Sequence, residues 1–149
     1  MIALLQRVTK AKVVVESKTV GAIENGILAL IGIEKTDTQE HANRLLERIL
    51  GYRIFADTQD KMNLSLEDIN GGLLLVPQFT LVANTEKGMR PSFSSTASPA
   101  EGERLFNFLL QQASRQYPRV EAGQFGADMQ VSLTNDGPVT FWIQVTANK

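Results

Sequence analysis

With 149 residues, 43% of them hydrophobic and 21% charged, the chain has the make-up of one ordinary globular domain with enough apolar material to bury a core. Fifteen Lys and Arg against sixteen Asp and Glu leave a formal net charge of −1, which neither announces nor forbids a nucleic-acid partner, because such binding depends on where charge clusters. The lack of cysteine excludes disulfides and thiolate chemistry, and a single histidine leaves little from which to build a metal centre, so no metal and no cofactor are expected.

Only Ile2, Ala3, Leu4 and Leu5 follow Met1 before polar residues arrive, too short an apolar stretch for a signal peptide. No later run approaches the roughly 18 apolar residues that cross a bilayer, so the expectation is a cytoplasmic protein with no membrane partner. Residues 2–8 and 11–16 read as strands, the second leaving into a turn at Ser17-Lys18. Ile27 to Ile33 is continuously apolar, which suits a strand buried on both faces. Between Thr38 and Gly51, Ala42, Leu45, Leu46, Ile49 and Leu50 recur at helical spacing; Asp37 with Glu40 predicts the cap and Gly51 the stop. Arg53-Ile54-Phe55 reads as a short strand, residues 57–72 as polar and turn-rich, and Leu73 to Val76 as another buried strand. Ser98-Pro99-Ala100-Glu101 supplies an N-cap serine and a proline at the first helical position, opening a helix to about Gln116. Alternation in residues 129–134 and 139–145 predicts two strands, separated by Asn135-Asp136-Gly137-Pro138. The expected architecture is one α/β domain over residues 1–149, a curled, barrel-like mixed sheet of about seven strands with two packed helices.

Conventional hydrolase chemistry finds few footholds. A Ser-His-Asp triad would have to pass through His41, expected as a solvated residue in the first turn of a helix, and no Gly-x-Ser-x-Gly elbow accompanies it. Asp57, Asp60, Glu67 and Asp68 match no calcium loop, and Gly26, Gly32, Gly71 and Gly72 form neither a phosphate-binding loop nor a dinucleotide fingerprint. Three stretches stand out: Pro77-Gln78-Phe79-Thr80-Leu81, Gly88-Met89-Arg90-Pro91-Ser92-Phe93, and Asn135-Asp136-Gly137-Pro138-Val139-Thr140. Each has a plain structural alternative: a strand with a proline bulge, a surface loop and a hairpin turn. The third fits a hairpin poorly, since Gly137 is restricted by the following proline and Pro138 offers no backbone donor; a cis bond between them would resolve the geometry.

Taken together with Met1 to Val8, Gly51-Tyr52-Arg53-Ile54-Phe55, Lys61-Met62-Asn63-Leu64 and Ala127-Asp128-Met129-Gln130-Val131, these stretches resemble the D-aminoacyl-tRNA deacylase family over nearly the whole chain. The resemblance implies hydrolysis of the ester joining a D-amino acid, or glycine, to the 3′ end of tRNA, by a homodimer that acts on tRNA and not on DNA. It implies that Gly137-Pro138 is a Gly-cis-Pro dipeptide inserted by one subunit into the site of the other, its carbonyls occupying the place of an L side chain. Gln78, Phe79 and Thr80 would form the pocket around the ester, and Met129 matches the family's methionine in the strand before the dipeptide. Backbone N–H groups near Phe79 and Thr80 are suited to an oxyanion, with either water or the Thr80 hydroxyl as nucleophile. One position departs from the family: Pro77 stands where a serine is usual, so a hydroxyl and an N–H are both missing there. A competing reading is a non-catalytic RNA-binding module that contacts phosphates through Lys10, Lys12, Arg44, Arg48, Lys87 and Arg90. Another is a related deacylase that removes a small L residue through a trans Gly-Pro bond.

Overall fold

The computed structural model describes residues 1–146. Its backbone of organisation is one long strand, β1 (Ile2–Val15), which pairs antiparallel with β3 (Gly26–Gly32) along residues 2–8 and with β2 (Lys18–Ile23) along residues 11–15. The two strand segments expected in this region are therefore one strand. Strand β6 (Gly72–Pro77) runs parallel to β3, and β7 (Val120–Ala122) parallel to β6. Along its remaining edge β1 carries β8 (Gln130–Gln144), antiparallel over almost its full length. The expected break at residues 135–138 is instead a bulge within β8: Gln6 faces Thr140 and Val8 faces Asn135, so four residues of β8 stand opposite Arg7 alone. A separate two-stranded ribbon joins β4 (Phe55–Ala56) to β5 (Met62–Leu64).

The main sheet curls until β2 lies against β7, making a nearly closed, barrel-like wall. Gly21 permits that approach, because a Cβ there would stand 2.7 Å from the Ala122 carbonyl oxygen. Helix α1 (Gln39–Gly51) buries Ala42, Leu45, Leu46, Ile49 and Leu50 against the sheet and against α3 (Pro99–Gln116), which contributes Leu105, Phe106, Leu109 and Ala113 to the same core. Burial of each large aliphatic side chain contributes about 1.5–3 kcal/mol, which is why periodicity located both helices. Between β5 and β6 lies a one-turn helix, α2 (Leu66–Ile69), capped by Ser65 and held by Tyr117, whose hydroxyl donates to the Leu66 and Gly71 carbonyls.

The start of α1 differs from expectation. Its N-cap is Thr38, and the box is closed by His41: the His41 N–H donates to Thr38 Oγ1, and the Thr38 N–H donates to His41 Nδ1 at 3.1 Å. His41 is consequently not a solvated residue; its side chain is largely covered. Asp37 acts elsewhere: its carboxylate accepts from the Met1 ammonium at 2.7 Å and from the Glu34 N–H at 2.7 Å. The ammonium also donates to Glu34 Oε1 and to the Val145 carbonyl, so the residue before β1, the residue after β8 and the β3–α1 connection meet at one buried charge. Among the described residues, no helix is long and apolar enough to cross a membrane.

Candidate active site

Strand β6 is apolar and buried on both faces, and its end delivers Pro77 and Gln78 to the rim of the sheet. The main-chain groups of Leu73 and Leu75 bond to β7, through Leu73 N–H to Arg119 O and Gly123 N–H to Leu75 O. Residue 77 lies one step past the last bond of that ladder, so a proline can end it without breaking a bond that the rest of the strand makes. On the other edge the Gln78 N–H donates to Ile31 O at 2.8 Å, the final bond to β3.

The chain then closes into a 3-10 turn over Phe79–Val82, with Leu81 N–H donating to Gln78 O and Ala83 N–H to Thr80 O. The first N–H groups of any helical turn have no partner within it. Among the described residues, the Phe79 and Thr80 N–H groups donate to no other group of the chain. Their side chains are exposed, and the Gln78 side-chain amide donates to the Thr80 hydroxyl.

Beside this turn opens a cavity of about 700 Å³. One wall comes from the ends of β3 and β6, with Ile31, Ile33, Val76 and Pro77. A second comes from the connection before α3: Asn84 and Ser92 form a two-way backbone bridge, which lays Phe93 against Phe79 with ring centroids 5.4 Å apart, and Thr96 and Ala97 follow. The third comes from the segment before β8, with Phe125, Ala127 and Met129. Gly123 makes room for Met129: a Cβ there would lie 2.8 Å from its sulfur, which also accepts from the Gln124 N–H. Among the described residues no ionisable side chain lines the cavity, and its polar side chains are Gln78, Thr96 and Ser98.

The structure thus brings Pro77, Gln78, Phe79 and Met129 together around one cavity and leaves Thr80 next to it at the mouth. It does not bring Gly137 or Pro138 there within one chain. They are exposed, in the β8 bulge. Arg7 fills the space under that bulge, its Nε donating to the Asp136 carbonyl at 3.0 Å and its Nη1 to the Ile54 carbonyl at 2.8 Å. Asn135 closes the loop by accepting the Val139 N–H and donating to Thr140 Oγ1. Gly137 has φ +137°, a conformation costly for residues with a Cβ, and the Gly137-Pro138 peptide bond is cis. Arg7 was not singled out from sequence, and neither were Thr96, Ala97 and Phe125. Each is a common residue type whose role depends on a tertiary neighbour.

The model of the D-Tyr-tRNA(Tyr) deacylase family matches residues 4–144. The chain is 60% identical to the D-aminoacyl-tRNA deacylase of Pseudomonas entomophila (strain L48), and the match covers 97% of the chain and all of that protein. It is 57% identical to the D-aminoacyl-tRNA deacylase of Photorhabdus laumondii subsp. laumondii, with the same coverage. Among solved structures it resembles the c-Myc DNA Unwinding Element Binding Protein, with a TM-score of 0.94, 37% identity and coverage of 99% of this chain and 100% of that one. A match that runs through every element of the fold and every segment around the cavity leaves one assignment: the chain belongs to the D-Tyr-tRNA(Tyr) deacylase family.

Proposed function

We infer that the protein is a D-aminoacyl-tRNA deacylase, an ester hydrolase that separates a D-amino acid, or glycine, from the terminal adenosine of tRNA. The observation that carries this reading is the pair of main-chain N–H groups at Phe79 and Thr80, free of other bonds at the mouth of an uncharged cavity. Two such donors suit the oxyanion that forms when an ester carbonyl is attacked, and they need no reorganisation to act. Water adds to the carbonyl carbon, the carbon–oxygen bond to the ribose breaks, and the ribose oxygen leaves with a proton, giving free amino acid and tRNA. The ribose 2′-hydroxyl assists the proton transfer. This suits a site lined by no ionisable side chain among the described residues, since His41, the one histidine, is committed to the cap of α1. Gln78 holds the Thr80 hydroxyl, while Pro77 and Met129 shape the pocket beside the ester.

Selection of the D form is assigned to a second subunit. The exposed Gly137-Pro138 bulge of one chain enters the cavity mouth of its partner and occupies the place an L side chain would need. β8 supports a dimer independently: its outer edge carries no strand among the described residues, and Val131 and Trp142 are exposed along it. The deciding experiment presents the purified protein with matched D- and L-tyrosyl-tRNA. Turnover of the D ester with the L ester spared is expected. Equal hydrolysis of both would remove the chiral device, and RNA binding without turnover would remove the enzyme.

A further inference from the structure

The connection before α3 fixes Thr96 in the cavity wall by its main chain. Thr96 forms an antiparallel bridge with Glu34, its N–H donates to Phe93 O, and on either side Lys35 N–H donates to Ser95 O and Ala97 N–H to Ile33 O, each at 3.0 Å. Of the polar side chains around the cavity, Gln78 has donated its amide to Thr80, and Ser98 accepts the Glu101 N–H as the N-cap of α3. Thr96 Oγ1 alone is buried with no hydrogen-bond partner among the described residues. A buried hydroxyl left unpaired is unfavourable, so a protein that keeps one has either an evident completion or a use for it.

We propose that Thr96 is a substrate-binding residue whose hydroxyl bonds a polar atom of the terminal nucleoside of the aminoacylated tRNA. The assignment rests on the deacylase reading above and extends it to a residue of the opposite wall. Rotation about χ1 exchanges the methyl and hydroxyl groups of a threonine, and here the hydroxyl has no bond to give up when it turns toward a ligand. The nucleoside is the right partner because it is common to every substrate. A deacylase that accepts many D side chains has no constant polar atom in the side chain to recognise, and a threonine held by its main chain in the same wall as Phe93, Ile33 and Ala97 serves only a part that never changes.

The test compares the parent with Thr96→Val, which keeps the shape and removes the hydroxyl, and with Thr96→Ser, which restores the hydroxyl. Steady-state deacylation of D-tyrosyl-tRNA and D-alanyl-tRNA is measured beside thermal unfolding. In Thr96→Val, KM should rise about three- to tenfold for both substrates, the scale of one neutral hydrogen bond, with kcat within twofold and Tm equal to the parent's or higher. Thr96→Ser should return KM toward the parent value. An unchanged KM in the valine variant overturns the proposal, as does a lowered Tm that serine restores without any change in KM, since the hydroxyl would then have a structural partner. A rise confined to the tyrosyl substrate assigns the contact to the amino acid and overturns the nucleoside. A parent that turns over neither D substrate overturns the deacylase reading and this proposal with it.

Discussion

At Thr80 the hydroxyl and the main-chain N–H belong to different mechanisms, and substitution separates them. Thr80→Ala removes the acceptor of the Gln78 amide but leaves both N–H donors of the turn in place. Turnover of D-tyrosyl-tRNA should therefore stay within about tenfold of the parent, whereas a fall of about a thousandfold with binding and folding intact would make the hydroxyl the nucleophile or an essential donor. Pro77 poses the converse question. Because residue 77 stands one step past the last β6–β7 bond, Pro77→Ser adds an N–H at the edge of the ladder and leaves the Phe79–Val82 turn as it is. A change of a few-fold in rate, below about 1 kcal/mol in the barrier, is expected with D-over-L selectivity kept. A serine variant that cleaved L-tyrosyl-tRNA would move position 77 into the chiral apparatus. Gln78 and Phe79 were legible because they sit in a specific run of residues at the end of a buried strand. Thr96 was not, since a threonine in an irregular connection gains meaning only when the bridge to Glu34 sets it in a wall.

The elements that periodicity identified are those with one apolar face, α1 and α3 above all. β2 escaped notice because its Lys18–Val20 half is exposed and Gly21 interrupts its pattern, and β7 because three residues carry no period. In β8 continuity was hidden by the bulge opposite Arg7, and in β1 by the exposed pair Thr9-Lys10, each of which reads in sequence as a break in alternation. The β3–α1 connection has a different logic: it is polar, yet its Asp37 is the anchor of a buried ion pair. Breaking a buried pair by removing one partner leaves a charge uncompensated. Asp37→Asn should cost about 3 kcal/mol, the lower end of the usual range, because Glu34 still reaches the ammonium. Urea unfolding monitored by circular dichroism measures it. A shift below about 0.5 kcal/mol would mean that the pair contributes little beyond geometry.

At the scale of the whole molecule, a curled mixed sheet with two helices followed from the alternation of strand and helix signals, whereas the closure of β2 on β7 depends on a glycine whose neighbour lies a hundred residues away. The cavity too could be placed only in part, since its walls come from four separate regions of the chain. One fact about that cavity reaches beyond the single chain: the Gly137-Pro138 bulge is not among its lining. In the proposed dimer each chain therefore donates half of a site and receives the other half from its partner. Two defective chains should then repair one another. Ala127→Trp fills the cavity but leaves the bulge, so its homodimer should be inactive, whereas Gly137→Ala forces a Cβ to within 2.7 Å of Val139 but leaves the cavity, so its homodimer should cleave D- and L-tyrosyl-tRNA alike. Unfolded together at equal amounts and refolded, half of the dimers are mixed, and in each the intact cavity of one chain receives the intact bulge of the other, so hydrolysis of the L ester should fall to about half of that given by the same amount of Gly137→Ala alone. Hydrolysis of the L ester undiminished by mixing, with mixed dimers demonstrated by mass spectrometry, would show that each chain builds its site alone.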